Sequence, residues 1–416
     1  MEINISRVKR DIEKIAEFNA TPGQGCTRFS YSPEDSKARN YLIEEINRLG
    51  LTTSIDGVGN IRARLEGSMK DAPAVLIGSH IDTVLHGGIF DGVLGVVGSL
   101  EVIRVFKENN IKNDIPIELI IFVEEEGSNF GSTMAGSKVL TGKYGIDEIK
   151  SIKNSMGLSM YEVAKEVGFD PDSSQKYLIK TGDIMAMIEL HIEQSVVLES
   201  EKKPIGIVEA IAGIKWFEIE IRGVPNHAGA TPMVMRNDAL VGASEVITTI
   251  NSKTRTAYPS TVATVGKIIC HPNVPNVIPG KINFTLDVRD TNPEGIRIIL
   301  NEVEKKLNEI SKKFNLSTSM KLLGESNPII LSNELVNLIE ETAIEKGLPY
   351  KKMNSGAGHD ACLFGGITNV GMIFVPSIGG RSHVPEELTS YEDIKAGCEL
   401  LLNVVYKLTS SLTKKT

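Results

Sequence analysis

Four short apolar runs, each leading to a residue that can bind a metal, constrain this 416-residue chain more than any other feature. Ala74–Ser79 runs into His80, Ile115–Val123 into Glu124, Glu125 and Glu126, and Ile184–Leu190 into His191. Gly371–Val375 leads through a glycine-rich loop to His383. Continuous apolar runs of this length suit strands buried on both faces of a sheet covered by helices. Helical patterns intervene at Gly92–Lys107 and Asn333–Lys346, and two more precede them at Ile3–Phe18 and Ser32–Leu49. The second of these has a strong start signal in Ser32-Pro33-Glu34-Asp35. The alternation predicts an α/β fold with a mostly parallel central sheet. In such sheets ligands bind beyond the carboxyl ends of the strands, so all four runs should deliver their polar residues to one edge.

The middle of the chain reads differently. Lys215–Arg222 and Lys281–Arg289 alternate apolar and polar residues, as strands with one covered face do. Helices are predicted at Asn237–Asn251 and Pro293–Phe314, and further strands at Thr261–Ile269 and Thr318–Leu323. The order β-α-β-β-α-β describes a small ferredoxin-like α+β domain. It is placed as an insertion at 211–325, within an outer domain made of 1–210 and 326–416.

Length and composition fit a globular protein of two or three domains, with 41% hydrophobic and 24% charged residues. The net charge of −8 and pI near 5.6 argue against nucleic-acid or anionic-membrane partners. Cys26, Cys270, Cys362 and Cys398 form no C-x-x-C pair and read as scattered thiols. The N-terminal stretch mixes acids and bases at helical spacing and lacks a signal-peptide core. No apolar run reaches the ~20 residues that span a bilayer. A cytoplasmic protein is the expectation.

The ligand-type residues form a set. His80-Ile81-Asp82 pairs an imidazole with a carboxylate that can fix its tautomer. Asp91 is followed by Gly92, which lets the chain turn tightly into a helix and leaves the carboxylate free to bridge two cations. The three adjacent glutamates repel one another, and a cation would relieve that repulsion; alone, such a run is as often a solvated loop. His191 and His383 complete a mixture of carboxylates and imidazoles suited to zinc, and also to manganese, cobalt or nickel. A single histidine is more often a satisfied hydrogen bonder than a ligand, so the weight lies in the joint pattern. His86 and His271 read as loop histidines; His359, in a glycine-rich loop, is intermediate.

Here the sequence resembles a known family. The motifs are GSHIDTV (78–84), FDGVLGV (90–96), EEEGSNFGS (124–132), ELHIEQ (189–194), NHAGATPM (226–233), NVIPG (276–280), DVRD (287–290), SGAGHDA (355–361) and PSIGGRSHVPEE (376–387). In order and spacing they are similar to the amidase, hydantoinase and carbamoylase branch of the aminoacylase and carboxypeptidase metallopeptidase clan. That branch includes N-carbamoyl-L-amino-acid hydrolases, allantoate amidohydrolases and β-ureidopropionases.

The resemblance implies two divalent cations per subunit, one on His80 and His191, the other on Glu126 and His383, with Asp91 bridging. It implies Glu125 as general base, Asp82 as the orienter of His80, and His227 as oxyanion stabiliser. It places Gln194, His227, Asn276, Arg289 and Gly358 around a small carboxylate-bearing ureido substrate, with Arg289 as the carboxylate clamp. Arg289 ends an alternating strand, where arginines are often plain ion-pair partners. The inserted domain would act as lid and form a homodimer. The family's usual arginine after EEEG-x is replaced by Asn129. The leading expectation is cleavage of an N-carbamoyl-L-amino acid. Allantoate or N-carbamoyl-β-alanine is the alternative, ahead of a dipeptidase, an aminoacylase or a non-catalytic binder.

Overall fold

The computed structural model describes residues 2–410. They form two compact units: one made of Ala210–Ile330 and Asn354–Gly358, the other of the remaining described residues. Each is built by a different rule of burial.

The larger unit holds a mixed α/β sheet whose centre is parallel. Ile117–Phe122, Ala74–His80, Ile184–Ile192 and Asn369–Val375 lie side by side in that order, each parallel to its neighbour. Antiparallel strands Ile61–Leu65 and Ile205–Ile211 flank them. Every residue of Ala74–His80 and of Ile117–Phe122 is buried, which requires cover on both faces. The helix Val93–Glu108 provides part of it and is apolar nearly all round, as an enclosed helix must be. Its two buried charges are paired: Arg104 lies 2.5 Å from Glu45 and also bonds Asp11, while Glu101 accepts from Arg7 at 2.7 Å. Buried ions require such partners. The predicted helix after Ser32 forms as Pro33–Arg48, with the Ser32 hydroxyl accepting from the Asp35 amide.

The smaller unit runs strand Gly213–Arg222, helix Ala239–Thr254, strand Lys281–Asp290, helix Pro293–Phe314 and strand Ser317–Ser326, with shorter strands between. Its antiparallel sheet has the order Ile268–His271, Lys281–Asp290, Gly213–Arg222, Ser317–Ser326. Lys281–Asp290 alternates without a break: Ile282, Phe284, Leu286 and Val288 are buried against Val246, Ile250, Ile299 and Val303 of the helices. The intervening residues Thr285, Asp287 and Arg289 therefore point to the face without helices.

Two local readings are corrected. The single strand expected over 261–269 is two, Val262–Thr264 and Ile268–His271. Gly266 has no side chain to pack there and interrupts the ladder. His271, read as a loop residue, ends the second of these strands. Gly358 and its neighbours from Asn354 fall in the smaller unit. They are tied to it by the Ala212 amide on the Ser355 carbonyl (2.9 Å) and by Arg289 Nη1 on the Gly356 carbonyl (2.9 Å). All four cysteines are free; Cys26 and Cys398 are buried and the other two half-buried. Among the described residues no helix is long and apolar enough to cross a membrane.

Candidate metal centre

The parallel strands bring His80, Glu125, Glu126 and His191 to their shared carboxyl-end edge. His191 lies inside its strand, one residue before its end at Ile192, rather than just after it. Close packing sets the height of His80. Gly78 stands where an added Cβ would lie 1.9 Å from the Ile120 carbonyl of the next strand, so only glycine fits. Gly92, at φ 64°, plays the matching part beside Asp91, because a Cβ there would lie 2.4 Å from the His80 ring.

Asp91 sits at the centre. Its Oδ1 lies 3.2 Å from His191 Nε2 and 3.5 Å from His80 Nε2, and its Oδ2 lies 3.3 Å from His383 Nε2. Glu126 Oε2 is 3.4 Å from the same His383 nitrogen. Asp91 belongs to two ligand groups, His80–Asp91–His191 and Asp91–Glu126–His383; a third, Glu189–His191–His359, shares only His191 with them.

The donor atoms fit cations. His80 Nδ1 donates to the Asp82 carbonyl (3.0 Å) and His191 Nδ1 to the Ile192 carbonyl (2.9 Å). This turns each Nε2 toward the cluster, where His191 Nε2 also accepts from the Gly92 amide at 3.2 Å. Glu126 Oε1 is buried without a hydrogen-bond partner. A carboxylate oxygen left so costs free energy unless something positive meets it.

The electrostatics agree. Burial would push His80 down, but Glu125, Asp91 and Asp82 override it and hold the ring well above its usual value. Asp91 is driven well below the carboxylate range by the three imidazoles despite its burial. Glu126 is pushed up to about 8 by burial and by Asp91. His383 is raised to about 9 by its bond to Asp91. Glu125 lies 3.7 Å from His80 Nε2, and burial together with Glu126, Asp360 and Asp82 lifts it well above its usual value.

The three adjacent glutamates divide. Glu124, at φ 54°, turns away from the cluster and accepts from the Ser30 hydroxyl and from the Asn129 and Phe130 amides. The Asn129 side chain donates to the Ser30 carbonyl at 2.8 Å, which fixes the same turn. Gln194 and His383 also have positive φ, 58° and 60°. Non-glycine residues held there cluster where a site over-determines its backbone.

The expected role of the Asp82 carboxylate is revised. It stands 3.8 Å from His80 Nδ1, beyond hydrogen-bond length, because it is taken up by the Glu125 and Glu126 amides at 3.2 and 3.1 Å. Asp82 holds His80 through its backbone carbonyl and the glutamate turn through its side chain.

Gln194 reaches the cluster, donating to Asp91 Oδ2 at 2.7 Å. Two residues absent from the sequence-based set join it. The Ser382 hydroxyl lies 2.8 Å from Asp91 Oδ2 and 2.9 Å from Glu387 Oε2, its single proton shared between the two carboxylates. Glu387 Oε1 accepts from the Phe90 and Asp91 amides. The only signal for Glu387 in the sequence was its place at the end of PSIGGRSHVPEE. His359, left undecided, is buried with its ring edge-on to His191 at 4.6 Å between centroids. His86 takes no part in any of the three ligand groups among the described residues.

The remaining candidates belong to the smaller unit. His227 and Val277 pair across a two-residue ladder, and the Asn276 carbonyl accepts from the Ala228 amide. His227 Nδ1 accepts from the Gly229 and Ala230 amides at 3.1 Å each. The ring proton therefore sits on Nε2 of an exposed imidazole. Arg289 is held by Asp287, with Nε–Oδ1 at 3.0 Å and Nη2–Oδ2 at 2.9 Å, and by the Gly356 carbonyl.

Residues 76–407 match the family described as peptidase family M20/M25/M40. The chain is 37% identical over 402 residues to an N-carbamoyl-L-amino-acid amidohydrolase of Paenarthrobacter aurescens, covering 97% of each. It is 35% identical over 401 residues to the allantoate amidohydrolase of Escherichia coli, covering 96% of this chain and 97% of that one. A solved amidase of the hydantoinase/carbamoylase family from Burkholderia multivorans superposes with a TM-score of 0.92 at 34% identity, covering 98% of both chains.

Proposed function

The chain belongs to peptidase family M20/M25/M40 and is a hydrolase of non-peptide C–N bonds, and from that premise we propose that it cleaves N-carbamoyl-L-amino acids at a two-cation centre. The observation that carries the reading is Asp91, whose two oxygens face two separate sets of imidazole and carboxylate ligands. His80 and His191 would hold one cation, Glu126 and His383 the other, with Asp91 between them. Zinc suits this donor set best, with manganese, cobalt or nickel also accepted. Bound there, the cations acidify the attacking water and polarise the ureido carbonyl.

The chain's own residues do the rest. Glu125, raised by burial, takes a proton as water adds to the carbonyl carbon and returns it to the nitrogen that leaves. His227, with its proton fixed on Nε2, donates to the developing oxyanion. Arg289 binds the substrate carboxylate. Three of its five N–H groups are engaged by Asp287 and Gly356, which leaves one on each terminal nitrogen for a two-point contact. Gln194, Asn276 and Gly358 complete the substrate contacts. One water is consumed, and the products are the amino acid, ammonia and carbon dioxide. We also propose a cytoplasmic homodimer joined through the smaller unit; the exposed strand edge Ile268–His271 supports the pairing alone.

The test is ammonia release by the metal-reconstituted protein from N-carbamoyl-L- and D-amino acids, N-carbamoyl-β-alanine and allantoate. Turnover of the L-carbamoyl compounds above all others is the expected result. Allantoate as the best substrate would replace the substrate assignment, and no ammonia from any of the four compounds would overturn the ureido reading.

A further inference from the structure

The helix-free face of the smaller unit's sheet carries a groove of about 550 Å³ beside Arg289, within the size range of small-ligand sites. Its walls are set by strand register. Trp216 stands across from Asp287 on one neighbouring strand, and Val262 across from Arg289 on the other. Trp216 belongs to the outward set of its strand, since Phe217, Ile219 and Ile221 face the helices; it is 38% exposed. The register slips between Leu322 and Gly324, and such a bulge re-aims the residue it carries. Leu323 thus joins the groove wall. The polar side chains in the lining are the Arg289–Asp287 pair and threonines such as Thr264.

We propose that this groove receives the amino-acid side chain of the substrate, and that the substrate class is N-carbamoyl amino acids with a bulky apolar side chain. The proposal rests on Arg289 holding the substrate carboxylate. A carboxylate on Arg289 fixes the α-carbon next to it, and the side chain then meets Trp216, Val262 and Leu323. An isobutyl or benzyl group gains by covering that apolar surface. Allantoate carries a second ureido group at the same place, which would lose water against apolar walls without enough partners in return.

Trp216 is the chain's only tryptophan, so its fluorescence reports the groove directly. Two measurements on the metal-reconstituted enzyme decide the matter. The kcat/KM for N-carbamoyl-L-leucine should exceed that for N-carbamoylglycine by about tenfold or more. The ratio should fall at least severalfold in Trp216→Ala and in Val262→Asn, the second variant guarding against misfolding of the first. Titration of the wild type with N-carbamoyl-L-leucine should shift Trp216 emission saturably, and with allantoate much less. A ratio near one, a preference for allantoate, or variants that leave the ratio intact would overturn the groove assignment. If no ureido compound is hydrolysed yet the emission shift saturates with the leucine compound, the catalytic reading fails and the groove stands. If turnover is robust while the ratio is flat and emission silent, the reverse holds.

Discussion

Glu125 shows how far a single residue's chemistry follows from where it is held. Burial and neighbouring carboxylates keep it a weaker acid than a free glutamate, which suits the proton-transfer role proposed for it. Glu125→Gln should therefore retain its metal and lose roughly 10²- to 10⁴-fold in kcat, read by metal analysis beside ammonia release. Near-normal turnover would remove Glu125 from the proton-transfer role. The same site predicts proton release. With Glu126 raised to about 8 and His383 to about 9, both hold protons at pH 7 in the absence of metal, and a cation needs both bare. Metal affinity should rise as pH climbs from 6 to 9, with at least about one proton released per chain at pH 7. Calorimetry in buffers of different ionisation enthalpy measures that number, and a value of zero would contradict it. His80, Asp91, Glu126, His191 and His383 were legible because four of them follow or end apolar runs and Asp91 precedes a glycine turn. Ser382 and Glu387 were not: both lie in the quoted motif 376–387, but nothing local shows that they act on the Asp91 loop almost three hundred residues away.

At the level of elements, the site is as exact as the strand packing beneath it. Gly78→Ala must force the His80 strand away from Ile120, since the added carbon would overlap a backbone carbonyl that cannot rotate aside. A loss of about 3 kcal/mol in urea unfolding is expected, from the overpacking range. Gly266→Ala, with open space around it, should stay within about 0.5 kcal/mol. Equal effects at the two positions would refute the packing argument. In the smaller unit, Leu286→Ala removes a fully buried side chain between sheet and helices and should cost about 2–5 kcal/mol by the same assay. Alternation made Lys281–Asp290 readable, and the helix at Pro293–Phe314 matched its pattern to the residue. The break at Gly266 was hidden because Val262, Thr264, Val265, Ile268 and Ile269 on either side favour strands. The doubled role of Asp82 was hidden as well. Sequence shows which residue neighbours His80 but not that the turn at Glu125 and Glu126 competes for its carboxylate.

For the whole molecule, the two ways of burying apolar surface were visible in the runs and alternations of the chain. The attachment of Asn354–Gly358 to the smaller unit was not, because it depends on hydrogen bonds between distant segments. The apolar core of the larger unit is extensive, so stripping the cations should leave the protein folded but less heat-stable, by the mass-action term for a ligand that binds only the native state. The most direct test of the central claim is a titration of the chelator-stripped protein with zinc or manganese, following ammonia release from N-carbamoyl-L-leucine. The account predicts no turnover without cation and a full rate reached at two equivalents per chain. Turnover by the stripped protein, or a full rate at one equivalent with no second binding event, would contradict it.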